Sequence, residues 1–217
     1  MTETFSNDPA RSATYPRLLV GISGASGVIY GIRMLEMLQH FSVETHLIMS
    51  RAAETTIAYE TSRKIAEVHA LADIVHPVTD IGAAPSSGSF KTMGMVIAPC
   101  SMRSLAEIAG GATTSLLTRA ADVVLKERRR LVLMTRETPL HSGHLRNMLT
   151  LSDMGAIVAP PVPAFYIKPE TVDDLVDQTV GRVLDLFDLD APAVRRWGEE
   201  SPDDRPPLRK VRRSKTP

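Results

Sequence analysis

The residues best suited to chemistry are glycines and serines in a turn near the start of the chain. Residues 18–31 read Leu-Leu-Val-Gly-Ile-Ser-Gly-Ala-Ser-Gly-Val-Ile-Tyr-Gly, which predicts an apolar strand, a tight turn and a helix. Such a turn presents backbone N–H groups to a phosphate. The glycines have the spacing G-x-x-G-x-x-G, which differs from the dinucleotide pattern G-x-G-x-x-G, and the hydroxyls of Ser23 and Ser26 lie among them. The pattern favours a mononucleotide over NAD.

The end of the second predicted strand supports this interpretation. It reads Met49-Ser50-Arg51, where an NAD site usually has an acidic residue for the ribose hydroxyls. Ser50 suits a phosphate or a ribityl chain better. The alternative is that residues 24–27 form only a tight turn, with Ser26 as the helix N-cap.

Charged residues later in the chain could hold an anionic substrate. Arg136 could clamp an anion bidentately while the neighbouring Glu137 handles protons, and the alternative is an ion pair between or beside them. Arg119 and Lys126 are seven residues apart on a predicted helix, so they share a face and could both point at a phosphate. Residues 128–130 are three arginines that fit a solvated helix end.

Other reactive side chains carry weaker signals. His141 and His144 share a helix face, but no third ligand has zinc-like spacing, so no metal site is expected. Cys100 at a strand end fits a small buried residue better than a nucleophile. Ser26 lacks the G-x-S-x-G elbow of serine hydrolases. Without other information, Glu60 is predicted to be an exposed acidic residue.

The elements that would position these residues alternate between strand and helix. Strand-length apolar runs separated by helical segments predict a doubly wound, three-layer α/β fold with a parallel sheet, Rossmann-like or flavodoxin-like. Polar segments follow all the strands, and the carboxyl ends of parallel strands share one edge of a sheet, where ligands bind. The predicted strands are 17–22, 43–49, 94–98, 131–135 and 156–159.

The last predicted helix covers about residues 171–188 and has an apolar stripe at i, i+3, i+4 spacing, so that stripe faces a core. Arg182 lies off the stripe. From its position on the helix alone, Arg182 is predicted to be solvated and paired with Asp185.

Composition sets the broad class. With 217 residues, 43% hydrophobic, the chain can form one substantial core, which we assign to residues 17–200. Residues 1–16 and the basic, proline-rich residues 201–217 are predicted to be disordered. The formal net charge is zero, so no nucleic-acid partner is expected. One cysteine and no membrane-span pattern predict a cytoplasmic protein.

Four long motifs together resemble the flavin prenyltransferases of the UbiX/Pad type over about residues 17–198. They are Gly21-Ile-Ser-Gly-Ala-Ser-Gly-Val-Ile-Tyr-Gly31, Arg119-Ala-Ala-Asp-Val-Val-Leu-Lys-Glu-Arg-Arg129, Leu131-Val-Leu-Met-Thr-Arg-Glu-Thr-Pro-Leu140 and Pro160-Pro-Val-Pro-Ala-Phe-Tyr166. One departure is Arg130, where the family commonly has proline.

The resemblance implies an activity. Such enzymes bind reduced FMN and join a dimethylallyl group from dimethylallyl monophosphate to flavin N5 and C6. The resulting prenylated FMN serves UbiD-type decarboxylases. The resemblance also implies a metal-independent transferase that forms homododecamers with sites at subunit interfaces, so Arg182 could complete a neighbour's site.

Site residues follow from the resemblance by position. FMN is expected to contact Gly24, Ala25, Ser26, Ser50, Ser101, Met102, Arg103, Ser104 and Arg136. The prenyl phosphate is expected near Arg119, Lys126, Arg136, Glu137, Tyr166, Arg182 and Trp197. Catalytic roles are expected for Ser26, Glu60, Lys126 and Glu137.

Three points stay open at the level of sequence. The base for ring closure could be Glu137, Glu60 or the released phosphate. The chain could instead be an FMN-dependent decarboxylase of the phosphopantothenoylcysteine type. It could also be an FMN-binding accessory subunit of a hydroxyarylic acid decarboxylase with no catalysis of its own.

Overall fold

The computed structural model describes residues 15–191 and 194–198. Most of the predicted N-terminal extension, and all of the predicted basic tail, lie outside these residues, so their predicted disorder and the limits of the domain stay predictions. No helix in the described part of the chain is long and apolar enough to cross a bilayer.

The core of the fold is a six-stranded sheet in which every pairing is parallel. Its strand order is β3-β2-β1-β4-β5-β6. The chain winds outward from β1 in one direction and from β4 in the other, so the order reverses between these two strands, where doubly wound sheets bind ligands. The strands are β1 (Arg17–Ile22), β2 (Glu44–Met49), β3 (Ile74–His76), β4 (Gly94–Cys100), β5 (Arg130–Thr135) and β6 (Ile157–Val158).

In residues 15–191 and 194–198, seven α-helices cover both faces of the sheet, which makes three layers. Buried residues of α1, α2, α3 and α7 pack on one face, and those of α4, α5 and α6 pack on the other. The helices are α1 (Ile29–Leu38), α2 (Arg51–Glu60), α3 (Ile65–His69), α4 (Met102–Ala109), α5 (Leu116–Lys126), α6 (Ser142–Asp153) and α7 (Val172–Asp185).

The continuous apolar runs of the strands explain why the sheet is covered on both sides. Along β1, Leu18 and Val20 join the core under α1 and α7, whereas Leu19 joins the core under α4 and α5. Side chains of a strand alternate between faces, so a run without polar interruptions needs an apolar layer on each face.

The predicted α/β architecture is confirmed, and five strands lie where the apolar runs predict them. The sequence-based interpretation missed β3, a three-residue edge strand. The predicted helix near residues 171–188 is α7, where Thr171 and Asp174 form a capping box.

Candidate active site

The turn after β1 is fastened to the end of β4 by one buried serine. The Ser23 hydroxyl donates to the carbonyl oxygen of Pro99 at 2.8 Å and accepts from the backbone N–H of Ser101 at 2.7 Å. Ser23 is 1% exposed, so these bonds form away from water, where unmade ones are costly. Ser23 therefore holds together the loop after β1 and the loop after β4, the two strands between which the strand order reverses.

Gly24 brings the backbone of this turn against the first turn of α2. A Cβ at position 24 would lie 2.9 Å from the backbone carbonyl carbon of Ala52 and closer still to the Ala52 methyl group. Backbone atoms cannot give way at that distance, so only glycine fits. Among the described residues, none accepts a hydrogen bond from the N–H groups of Gly24 or Ser26.

The N-terminus of α1 is capped by a carboxylate from α2. Glu60 Oε2 accepts from the backbone N–H of Gly27 at 2.8 Å and of Val28 at 3.2 Å. The helix begins after Val28, which has no side-chain cap bond, so the alternative of Ser26 as N-cap is wrong. An anion is favourable there because the helix dipole is positive at its N-terminus.

The electrostatics of Glu60 follow from this position. Partial burial by itself would raise the pKa of the Glu60 carboxyl, but hydrogen bonds from the Ser26 hydroxyl and the Gly27 and Val28 N–H groups hold that pKa below its usual range. The Arg136 guanidinium lowers it further. Glu60 is thus an ionised group at the turn after β1, a role its sequence context did not reveal.

Two further helices begin at the same edge of the sheet, each with a serine cap. Ser50 accepts from Ala53 N–H at 3.1 Å at the start of α2. Ser101 accepts from Ser104 N–H at 3.2 Å at the start of α4. Three helix N-termini therefore face one edge, an arrangement suited to an anion.

A cavity of about 350 Å³ lies between these helix ends. Its walls include Gly24, Ser50, Ser101, Arg103 and Ser104 from the predicted FMN set. We call this cavity and the turn at residues 24–28 the crevice.

Three residues of the predicted FMN set also have partners within the protein. Met102 packs against the core under α4. The Arg103 side chain is 85% exposed and pairs with Glu107 at 2.8 Å. Ala25 is half-buried within the turn, where its N–H donates to the Ser23 carbonyl oxygen at 2.9 Å.

The sequence-based interpretation missed part of the crevice wall. Thr114, Ser115 and Leu117 line it from the start of α5, and Val78 lines it from the loop after β3. Ser115 caps α5 by accepting from Thr118 N–H at 3.3 Å. A hydroxyl before an apolar helical run is a recognisable signal, whereas Val78 had none because β3 was not predicted.

Arg136 and Glu137 follow β5 at the same edge of the sheet as the crevice, and the charge of Arg136 acts on Glu60 at the turn. The Arg136 backbone N–H donates to the Cys100 carbonyl oxygen at 3.1 Å. Burial raises the pKa of the Tyr30 hydroxyl, and the positive charge of Arg136 partly opposes this, as it does at Glu60. Among the ion pairs of the described residues none joins Arg136 to Glu137, and Glu137 accepts from Thr138 N–H at 3.0 Å.

Arg119 and Lys126 lie on α5, Arg119 in its first turn near the crevice and Lys126 at its far end. α5 starts at the crevice and ends next to Arg130, the first residue of β5, which is at the opposite edge of the sheet. The length of β5 corresponds to roughly 16 Å between the two edges. Lys126 pairs there with Glu127 at 2.5 Å, and Arg119 pairs with Asp122 at 2.8 Å. Within one chain Lys126 therefore lies at the edge of the sheet opposite Arg136, and the expectation that they share one site stays a prediction that requires a neighbouring subunit.

The three arginines after α5 do not form a uniformly solvated helix end. Arg129 is half-buried and donates to the carbonyl oxygens of Phe90 and Gly88 at 2.6 and 2.7 Å. The prediction is wrong for Arg129 because the loop before β4 needs donors for these carbonyl groups.

Tyr166, Arg182 and Trp197 gather on the outer side of α7. The rings of Tyr166 and Trp197 meet edge to face with centroids 5.7 Å apart. Arg182 is exposed and forms the predicted ion pair with Asp185, which also binds Arg196. We call Tyr166, Arg182 and Trp197 the α7 surface, and Arg119 and Lys126 the α5 surface.

The remaining reactive residues have structural roles. His141 caps α6 by accepting from Gly143 N–H at 3.0 Å and stacks on His144. In the described residues no group of three or more His, Cys, Asp or Glu is arranged around a metal position. Cys100 is buried, which raises the pKa of its thiol to about 12 and confirms it as a small core residue.

Comparison with known proteins decides the family. The family model described as Flavoprotein matches residues 6–184. The flavin prenyltransferase UbiX of Thauera aromatica is 56% identical over 181 residues, covering 83% of this chain and 93% of that protein. The chain belongs to the flavin prenyltransferase family.

Solved structures of flavin prenyltransferase relatives agree with the fold. AnUbiX, crystallised with FMN and dimethylallyl pyrophosphate, is 53% identical and superposes with a TM-score of 0.85 over 86% of this chain and all of that chain (100%). A dodecameric FMN-dependent UbiX-like decarboxylase from Escherichia coli O157:H7 is 53% identical, with a TM-score of 0.82 over 83% of this chain and 98% of that chain. Family membership confirms the predicted flavin prenyltransferase and favours it over the accessory subunit.

Proposed function

We propose that the crevice binds reduced FMN and that the chain joins a dimethylallyl group from dimethylallyl monophosphate to flavin N5 and C6. The observation that carries this proposal is the 53% identity to AnUbiX, a relative whose crystals hold FMN and dimethylallyl pyrophosphate. The product would be prenylated FMN for a UbiD-type decarboxylase. A cytoplasmic location stays a prediction.

The geometry of the crevice fits FMN. The turn offers free N–H groups at a position where Gly24 leaves no room for a side chain, and the Ser50, Ser101 and Ser104 hydroxyls border the same cavity. These donors suit a phosphate and a ribityl chain. When bound, reduced flavin supplies the nucleophilic N5 and C6 atoms.

The remaining predicted site residues are proposed to stabilise the charges that develop during transfer. Splitting an allylic C–O bond builds negative charge on the phosphate, so Lys126, Arg136, Arg182 and the Tyr166 hydroxyl lower the barrier if they converge on it. The allyl fragment gains positive charge, which the Trp197 ring can stabilise through its π face. Arg119 would support the same phosphate from the α5 surface.

We propose that a carboxylate removes the proton from flavin C6 when the new ring closes. Glu137 stands beside Arg136, and Glu60 stands at the turn with its hydrogen bond from Ser26. Either carboxylate could take the C6 proton, with Ser26 relaying it to Glu60.

These groups converge only if several copies of the chain assemble. Lys126 on the α5 surface lies toward the far edge of the sheet, and the α7 surface lies on the outside of α7, whereas Arg136 is at the edge that holds the crevice. We propose that the site is completed by neighbouring subunits in a homododecamer, the assembly named for the Escherichia coli O157:H7 relative.

The test is anaerobic incubation of the protein with FMN, dithionite and dimethylallyl monophosphate, followed by mass spectrometry of the flavin and a phosphate assay. We expect a mass gain of one C₅H₈ unit with stoichiometric phosphate. A parallel reaction with the pyrophosphate tests the preference for monophosphate. Glu137→Gln should retain FMN and lose transfer, whereas Glu170→Gln, an exposed control, should not.

Unmodified FMN that stays bound to the wild-type protein would overturn the transferase proposal and support an FMN-binding subunit. The extracted product, added to a UbiD-type decarboxylase prepared without cofactor, tests the proposed recipient directly.

A further inference from the structure

Gln178 on α7 is an uncharged polar side chain buried at 1% exposure beneath the α7 surface. Its amide makes three hydrogen bonds. Oε1 accepts from the backbone N–H of Arg195 at 2.9 Å, and Nε2 donates to the Arg195 carbonyl oxygen at 3.0 Å and to the Tyr166 phenol oxygen at 2.9 Å. One side chain therefore joins α7, Tyr166 and the segment that carries Trp197.

The orientation of this amide is determined by its partners. A backbone N–H can only donate, so Oε1 has to face Arg195 N and the NH₂ group has to face Tyr166. The phenol oxygen consequently accepts a hydrogen bond from the protein. Its own O–H has the Arg195 carbonyl oxygen at 3.5 Å as its partner among the described residues, a long contact that leaves the proton available to an outside acceptor.

The surface above Gln178 has the composition of an anion site. Tyr166 is 38% exposed, and its ring packs edge to face on Trp197. Arg182 is four residues beyond Gln178 on α7, so the two side chains share a helix face. The Tyr166 phenol and the Arg182 guanidinium are therefore both accessible from solvent beside α7.

We propose that Gln178 is a positioning residue of the prenyl-phosphate site, because it turns the Tyr166 hydroxyl so that its proton points at the phosphate oxygen. The inference rests on the proposed function, which assigns Tyr166 and Arg182 to that phosphate. An apolar residue of similar size would fill the space under Tyr166, but it would leave the Arg195 carbonyl oxygen without its donor Gln178 Nε2, so the Tyr166 hydroxyl would turn onto that oxygen and shorten the present 3.5 Å contact.

The experiment measures the dissociation constant of dimethylallyl monophosphate by calorimetry on the full-length protein loaded with oxidised FMN, which does not turn over. Gln178→Met removes the donor at nearly constant volume and should raise this constant about tenfold, as should Tyr166→Phe. The double variant should be no worse than either single variant, because both remove one interaction. Gln39→Met at the exposed end of α1 is the control and should have no effect.

A second variant, Gln178→Glu, tests orientation more directly. The carboxylate that this substitution introduces can only accept when ionised, so the Tyr166 proton would turn inward and binding should weaken at high pH. The protonated acid can donate as the amide does. The ratio of the variant's dissociation constant to that of the wild type should therefore fall as pH is lowered, which a purely structural role would not produce.

Unchanged affinity in both Gln178 variants, with Tyr166→Phe impaired, would overturn the inference. A lowered melting temperature with unchanged affinity would do the same, because it would reduce Gln178 to a packing role. If wild-type protein binds the allyl phosphate but transfers nothing to reduced FMN, the proposed function fails while the affinity data still decide the role of Gln178.

Discussion

The crevice and the two outer surfaces differ in how their side chains are held. In the crevice, Ser23, Ser50 and Ser101 are bound to backbone groups of the same fold, and Glu60 caps α1 across a separation of 33 residues. On the α5 and α7 surfaces, the carboxylates that pair with Arg119, Lys126 and Arg182 come from the same helix or from the residue next to it. The proposed flavin half of the site thus lies within one chain, whereas the proposed phosphate half would need residues from neighbouring subunits.

The largest expected effect is on the rate of prenyl transfer, when one chain has a substitution in the crevice half of the site and another chain has one in the phosphate half. Lys126→Ala and Arg136→Ala should each lower kcat about 10²–10³-fold, the cost of removing one donor to developing charge. If the variants are co-expressed with different tags and the mixed oligomers purified, about a quarter of the sites should combine both intact residues, because each residue comes from a different chain. Activity should recover to about that level in transfer assays.

The control is a mixture of two variants in the same half, Ser26→Ala with Arg136→Ala, both in the crevice. Such a mixture should recover nothing, since one chain would have to supply both groups. Recovery there, or none in the first mixture, would contradict the division between the crevice and the outer surfaces.

A smaller effect is expected from filling the crevice backbone. Gly24→Ala puts a methyl group against Ala52, and overpacking of this kind costs about 1–3 kcal/mol. We expect FMN affinity to fall by about tenfold or more, measured by flavin fluorescence, because the turn has to move away from α2. Gly82→Ala is the matched control, since a Cβ there meets nothing nearer than 3.5 Å. Equal affinity in both variants would show that the turn tolerates movement.

The smallest effect concerns the stability of the crevice without ligand. Glu60→Gln should lower the free energy of unfolding by ~1 kcal/mol at pH 7, the value of a helix cap. The pKa of Glu60 is depressed in the folded state, so its contribution is present above the unfolded value of about 4.3 and is lost as pH falls through the folded value. Urea denaturation should therefore separate the variant from wild type at pH 7 and not at strongly acidic pH. A constant difference at all pH values would mean that the Glu60 charge is not responsible.

The same comparison explains what could be predicted from sequence. Strands β1, β2, β4 and β5 are buried apolar runs, and their periodicity identifies them. β3 is a three-residue edge strand held by β2 and by a 2.9 Å bond between His46 and His76, contacts that no local pattern reveals. Glu60 reads as an exposed acid because its role depends on a turn 33 residues away.

For the outer surfaces, sequence patterns identify the residues but not their relation to the crevice. The seven-residue spacing correctly predicts that Arg119 and Lys126 share a face of α5. It does not say that this helix runs toward the amino edge of the sheet, away from Arg136. Gln178 has no signal at all, since a lone glutamine in an amphipathic helix is usually solvated and this one is buried by residues 12 and 17 positions away.

The burial of Cys100 also makes this protein convenient for spectroscopy. It is the chain's single cysteine, and burial raises the pKa of its thiol to about 12, so the reactive thiolate is disfavoured at pH 8. A maleimide dye should therefore react much more slowly with the native thiol than with a cysteine introduced at an exposed position such as Tyr59. Donor-labelled and acceptor-labelled chains prepared in this way would report by energy transfer how subunits come together and exchange, with no native residue removed from the core.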